Sequence, residues 1–155
     1  MKKTAHCDCY MFGEKRMVSN REKIIPYGKI PVYKTKGAAA ADVCTPFEVT
    51  IPPHTTVVIP LWIGFEIPEG YCIKMYPRSS LLVKRGLMQP VSIIDSDFSG
   101  NKVHCPVHNL TNEPVVLEAG ERIAQVMLEQ VIDVPEWVHE NNERSSKGFG
   151  GSGRA

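Results

Sequence analysis

Short apolar segments separated by turn residues run through the middle of the chain. Segments rich in Val, Ile, Phe and Tyr are interrupted at short intervals by twelve prolines and twelve glycines, a pattern typical of short β-strands. We predict strands over Phe47–Ile51, Thr56–Phe65, Tyr71–Tyr76, Val91–Ile94, Lys102–Val107, Val115–Leu117 and Ile123–Val131. So many strands at this spacing predict an all-β sandwich, jelly roll or barrel. One short helix-like stretch lies around Ser80–Arg85.

The two ends of the chain do not share this pattern. Residues 1–29 form a polar leader of mixed charge, residues 30–134 carry the predicted strands, and residues 135–155 end in a run of glycine and serine. Composition alone favours a disordered tail. However, two arginines, a lysine and Phe149 lie among these glycines, and such groups could also wrap an anionic, aromatic ligand.

Length and charge narrow the class of protein. A chain of 155 residues can bury one sizeable core, so we expect one domain with one active-site system. A net charge of +1 is not the strongly positive charge typical of proteins that bind long nucleic acid. No apolar run approaches the roughly 20 residues that span a bilayer, and none follows the N-terminal lysines as in a signal peptide. We expect no membrane association and no secretion: a cytoplasmic protein, or one inside a host cell if viral.

The cysteines give a weak signal. Five scattered cysteines are an odd number, which is a poor disulfide framework and suits a reducing compartment. The groups His6–Cys9 and His104–His108 could in principle bind zinc, but neither has the paired spacing of a structural zinc site. The second group lies in a predicted strand, where neighbouring side chains face opposite ways. Ordinary side chains are the favoured interpretation.

Three segments carry groups suited to chemistry. At Tyr76–Leu81 a predicted strand ends, and a guanidinium, two hydroxyls and fresh backbone N–H groups follow, which suits phosphate oxygens. At Ile93–Gly100 we predict a hairpin tip with Asp95 and Asp97, which share one side if the chain is extended there, so one of them could be a base. The glycine-rich C-terminal segment is the third. Taken singly, each segment has an ordinary explanation, such as a solvated turn.

In combination, the segments resemble the five ordered motifs of the dUTP diphosphatases. The motifs lie at Ala39–Val43, Pro77–Leu81, Ile94–Gly100, Gly120–Gln125 and Glu143–Gly153. The second and fourth match fully. The others depart from the usual family residues at Ala40, Phe98, Ser145 and Lys147, and Ser92, just before the third motif, replaces a common glycine. The resemblance extends from about Ile30 to Arg154 and leaves the leader without a role.

The resemblance implies both a fold and an activity. The family consists of homotrimeric, all-β, jelly-roll-like enzymes that share active sites between subunits, and a flexible C-terminal arm, here residues 135–155, closes over the site. The implied reaction is Mg²⁺-dependent hydrolysis of dUTP to dUMP and pyrophosphate by attack of water on the α-phosphorus. This reaction keeps uracil out of DNA and supplies dUMP for thymidylate synthesis.

The resemblance also implies a role for individual residues. Asp95 would activate the water, and Asp42 would meet Mg²⁺ in its outer shell, through water. The implied phosphate-binding residues are Arg78, Ser79, Ser80, Gln125 and Arg144. The implied uracil- and deoxyribose-binding residues are Gln89, Ile93, Ile94, Phe98, Val103 and Phe149; Ile93, Ile94 and Val103 would act through their backbone, and Phe149 by stacking.

Two alternatives remain. A dCTP deaminase shares the fold and an Arg-Ser-Ser-like motif but uses a glutamate in the strand after the hairpin, and Val103–Asn109 contains none. A binding or regulatory module would keep the fold and lose the chemistry. Retention of Asp95, Arg78, Arg144 and Phe149 argues against this module.

Overall fold

The computed structural model describes residues 25–135 and residue 137. Within them lie ten β-strands, the helix α1 (Ser79–Arg85) and a 3-10 helix at Ser96–Phe98. The strands are β1 (Ile25–Gly28), β2 (Ala41–Cys44), β3 (Val49–Ile51), β4 (Thr56–Glu66), β5 (Tyr71–Pro77), β6 (Leu87–Met88), β7 (Ser92–Asp95), β8 (Lys102–Asn109), β9 (Val115–Leu117) and β10 (Arg122–Gln130). The all-β prediction is confirmed, and the seven predicted strands are present with ends that differ by two residues or fewer.

The strands form antiparallel sheets with long-range neighbours. One four-stranded sheet has the order β1-β4-β8-β6, a second has the order β2-β10-β5-β7, and β3 pairs with β9. This arrangement is jelly-roll-like. It also places β7 and β8 in different sheets, so residues 96–101, hereafter the β7–β8 corner, do not form the predicted hairpin tip. The chain turns through the 3-10 helix there, which carries it from one sheet to the other.

The core lies between the sheets, and alternation along the strands builds it. In β8, Val103, Cys105, Val107 and Asn109 are buried while the residues between them are more accessible. The same period of two explains why this strand could be predicted. Helix α1 packs on the core through a single buried residue, Leu81.

A glycine fixes the end of α1. Gly86 has φ +62°, and its N–H donates to the carbonyls of Leu81 and Leu82. A Cβ at this position would overlap the methyl group of Thr111, so both the backbone conformation and the space require glycine. Gly86 therefore ends the short helix that begins at the predicted phosphate-binding serines.

The cysteines differ from expectation at one position. Cys44 is disulfide-bonded, so a disulfide-free set of cysteines is wrong there; sequence spacing does not reveal which sulfur atoms approach in space. Cys72 and Cys105 are free and buried. Burial raises the pKa of Cys105 to about 12, so this thiol behaves as a small apolar side chain. No helix in residues 25–135 is both long and apolar enough to cross a bilayer.

Candidate active site

The end of β5 forms the first half of the site. Pro77 closes the strand, Arg78 keeps an extended backbone with φ −88° and ψ 129°, and α1 begins at Ser79. The N–H of Leu81 donates to the carbonyl of Arg78 at 3.0 Å. Ser79 is exposed and Ser80 is half-buried. The second motif therefore presents a guanidinium and two hydroxyls at one strand-to-helix junction.

A buried carboxylate holds two guanidinium groups beside this junction. The side chain of Asp42 in β2 is only 12% exposed. Its Oδ1 lies 3.3 Å from Nε of Arg78, and its Oδ2 accepts a hydrogen bond of 2.9 Å from Nη1 of Arg122. Nη1 of Arg78 also donates to the backbone carbonyl of Arg122 at 3.2 Å. Two positive charges on one negative charge leave this end of the sheet positive, which suits an anionic ligand.

Strand order explains why distant motifs meet here. β10 lies between β2 and β5, and its residue Gln125 pairs with Asp42 on one side and Tyr76 on the other. Nε2 of Gln125 donates to the carbonyl of Pro77 at 3.1 Å. The first, second and fourth motifs therefore come together within one chain.

A second ion pair fastens α1 to the turn before β10. Nη1 of Arg85 lies 2.6 Å from Oε1 of Glu121, and Nη2 of Arg85 donates to the carbonyl of Val116. Oε2 of Glu121 accepts the backbone N–H of Glu118 at 3.1 Å. These contacts connect the fourth motif to the helix of the second motif.

Asp95 lies at the other end of β5. It pairs with Cys72 across the β5–β7 ladder, whereas Arg78 follows Cys72 by six residues. At about 3.3 Å per residue, Asp95 and Arg78 are separated by roughly 20 Å along the sheet. A single chain therefore does not bring the predicted base to the predicted phosphate-binding arginine.

The two carboxylates of the third motif differ in setting. Asp95 is half-buried at the end of β7, whereas Asp97 is exposed in the 3-10 helix. The chain is not extended between them, so the condition for both to share one side is not met. Ser99 ties the β7–β8 corner to the end of β4, because its Oγ accepts the N–H of Ile67 at 2.9 Å.

The predicted base-binding residues fall into two kinds. The side chains of Ile94 and Val103 belong to the core, and Phe98 packs against it, so only the backbone of Ile94 and Val103 remains for a ligand. Ile93 is 60% exposed. Gln89 is 4% exposed, and neither Oε1 nor Nε2 of its amide has a hydrogen-bond partner within the described part of the chain.

One residue at this junction had no predicted role, and two predicted residues lie outside the described part of the chain. Arg122 lies in a recognised motif, but no role was predicted for its side chain. Strand alternation hinted that it points away from the core, yet only the β2–β10 register reveals its contact with Asp42. The predicted arm residues Arg144 and Phe149 lie outside the described residues.

Comparison with known proteins decides the family. The dUTPase family model matches residues 26–153. The chain belongs to the dUTPase family. The sequence-based assignment is therefore confirmed, and the chain is a nucleotide hydrolase.

Individual relatives agree with this membership. The chain is 39% identical over 136 residues to a deoxyuridine 5'-triphosphate nucleotidohydrolase of Bdellovibrio bacteriovorus, covering 83% of this chain and 91% of the relative. It is 37% identical over 131 residues to the protein of the same name from Finegoldia magna, covering 80% and 91%. The crystal structure of dUTPase from Streptococcus mutans matches with a TM-score of 0.65 at 28% identity, covering 68% of this chain and 88% of that one.

Proposed function

We propose that this chain hydrolyses dUTP to dUMP and pyrophosphate in a Mg²⁺-dependent reaction, acting in the cytoplasm or inside a host cell if viral. Its role would be to keep uracil out of DNA and to supply dUMP. The observation that carries the proposal is the meeting of three motifs around Asp42, where two guanidinium groups and the Ser79–Ser80 hydroxyls form a positive junction. The names of the relatives point to the same substrate.

The positive junction suits the triphosphate. The guanidinium of Arg78 is held by Asp42 and by a backbone carbonyl, so it can meet phosphate oxygens without first losing much side-chain freedom. The hydroxyls of Ser79 and Ser80 and the amide of Gln125 would add neutral donors. Arg144 of the arm would bring a further positive charge when substrate is bound.

The residues around the junction fit a magnesium ion held mainly by its substrate. Both oxygens of Asp42 already contact arginines, so this carboxylate suits an ion met through water. Within residues 25–135 no three acidic, histidine or cysteine side chains cluster as a metal cage, and Mg²⁺ often keeps its waters and uses substrate phosphates as ligands. When bound, the ion would neutralise charge on the phosphate oxygens.

Asp95 is the proposed base. A general base must lie within hydrogen-bond reach of the proton that it removes. The water must at the same moment face the α-phosphorus that the junction holds, and roughly 20 Å separates Asp95 from Arg78 in one chain. Asp95 of a second copy of the chain could lie beside the junction of the first copy, which would remove this separation. We therefore include a homotrimer with shared sites in the proposal.

Gln89 is a proposed uracil contact. An amide that is buried without partners costs about 1–3 kcal/mol in the free protein, and a ligand that pairs with it would recover this energy. The amide offers one donor group and one acceptor, which match the alternating groups on the uracil edge. The rest of the uracil edge would meet backbone groups of Ile93, Ile94 and Val103, with Phe149 stacked on the ring.

Product analysis tests the proposal against both alternatives. Purified protein is incubated with dUTP, dCTP or UTP, with and without Mg²⁺, and the products are separated. We expect dUMP and pyrophosphate from dUTP only, and only with Mg²⁺. Ammonia release from dCTP would indicate a deaminase, and binding of dUTP without turnover would indicate a regulatory module; either result would contradict the proposal.

A further inference from the structure

The side chain of Arg122 has a contact that no phosphate-binding role explains. Its Nη1 donates to Oδ2 of Asp42, while the opposite oxygen of the same carboxylate contacts Arg78. The side chain of Arg122 is 40% exposed, against 12% for Asp42. Arg122 therefore lies on the solvent side of the ion pair between Asp42 and Arg78.

We propose that Arg122 is a positioning residue. It orients Arg78 toward the phosphates by fixing the Asp42 carboxylate, which lies between the two arginines. This inference rests on the proposed function. The planar guanidinium of Arg78 directs Nε to Asp42 and Nη1 to the carbonyl of Arg122. These two contacts fix the plane of the group, so its remaining nitrogen, Nη2, has one defined direction in which to meet a phosphate oxygen.

The side chain and the backbone of Arg122 act on Arg78 by separate routes. The backbone carbonyl contacts Arg78 directly and survives any substitution of the side chain. The side chain reaches Arg78 through Asp42, since Arg122 holds one carboxylate oxygen and leaves the other for Arg78. Without Arg122, the carboxylate can rotate about its terminal bond, and Arg78 loses its fixed partner.

The same sheet provides a matched control. Glu129 of β10 is also shared between two donors on β5: it is paired with Lys74, and its Oε1 accepts a hydrogen bond of 2.8 Å from the hydroxyl of Tyr76. Hydrogen bonding with Lys74, and then with Tyr76, lowers the pKa of Glu129. Removal of Lys74 thus leaves Glu129 with one of its two donors, just as removal of Arg122 leaves Asp42 with one. Unlike Asp42, Glu129 has no contact with Arg78 in the described part of the chain.

The test compares ligands with and without phosphates. Binding of deoxyuridine and of a non-hydrolysable imido analogue of dUTP is measured by calorimetry for the native protein and for Arg122→Gln, Arg122→Lys and Lys74→Gln. We expect Arg122→Gln to lose about tenfold or more in affinity for the analogue and nothing for deoxyuridine. Arg122→Lys should recover part of the loss, and Lys74→Gln should change neither affinity.

A double variant tests the route through Asp42. If Arg122 acts through that carboxylate, Asp42→Asn combined with Arg122→Gln should bind the analogue no more weakly than Asp42→Asn alone. Equal losses for deoxyuridine and analogue, full additivity, or native binding by Arg122→Gln would each overturn the proposal. Turnover of dUTP by the native protein is measured alongside, so that failure of the proposed function is recognised separately from failure of this inference.

Discussion

The two ends of β5 differ in how complete they are. At the Pro77 end, Asp42 contacts Arg78, and Gln125 pairs with Asp42 across the strands and donates to the carbonyl of Pro77, all within one chain. At the Cys72 end, Asp95 is half-buried and stands about 20 Å from that junction. The comparison teaches that the proposed phosphate-binding residues and the proposed base lie on different parts of the chain. One chain thus carries the phosphate half of one proposed site and the base half of another.

The largest effect should come from the Cys72 end. Asp95→Asn removes the proposed base and keeps the side-chain shape, so kcat should fall by roughly 10²–10⁴-fold while dUTP binding stays nearly native. Single-turnover kinetics and equilibrium binding measure the two quantities. Asp97→Asn, in the exposed neighbouring carboxylate, is the control. A larger loss in the Asp97 variant would show that the wrong carboxylate has been chosen.

Removal of the arm should come next. Deletion of residues 143–155 should leave the thermal unfolding midpoint unchanged, because the deleted groups are proposed to contact ligand and not core. kcat/KM for dUTP should fall by about a hundredfold, since charged and stacking contacts of roughly 1–3 kcal/mol each are lost. Phe149→Ala should reproduce part of this loss. A truncated protein that unfolds, or one that keeps native kcat/KM, would exclude a catalytic lid.

Substitution of Gln89, the proposed uracil contact, should change ligand binding and protein stability in different ways. Because its buried amide lacks a partner in the described part of the chain, Gln89→Met should leave the free energy of unfolding unchanged or raise it. The loss of a base contact should lower kcat/KM for dUTP by about tenfold. Denaturant unfolding and steady-state kinetics on the same variant test both statements. A destabilised variant with native kinetics would make the amide structural.

The smallest effect concerns the sugar. Phe98 packs against the core, and the family resemblance puts its ring on the deoxyribose, where a 2′-hydroxyl has no room. Phe98→Tyr should be nearly neutral, whereas Phe98→Ala should narrow the ratio of kcat/KM for dUTP to that for UTP, by up to about the 1–3 kcal/mol of an unpaired hydroxyl. An unchanged ratio in the alanine variant would argue against steric selection by Phe98.

Much of this molecule follows from its sequence, for identifiable reasons. The long strands could be predicted because one face of each is buried, as the alternation in β8 shows. β2 was missed because all four of its residues are buried, and β6 because it has only two residues. Motif order predicted Arg78 and Asp95 as site residues, but it did not predict the distance between them. That distance depends on the pairing of Cys72 with Asp95, which no local pattern encodes.

Subunit mixing tests the division between the two ends of β5 most directly. Arg78→Gln and Asp95→Asn proteins, each inactive alone, are unfolded together, refolded at equal amounts, and assayed for dUTP hydrolysis, with distinct tags to verify mixed assemblies. If each site takes Arg78 from one subunit and Asp95 from another, each subunit is of the required type half of the time. About a quarter of the sites should then be intact and fully active. Mixed assemblies with no more activity than either parent would place both residues in one chain's site and contradict shared sites.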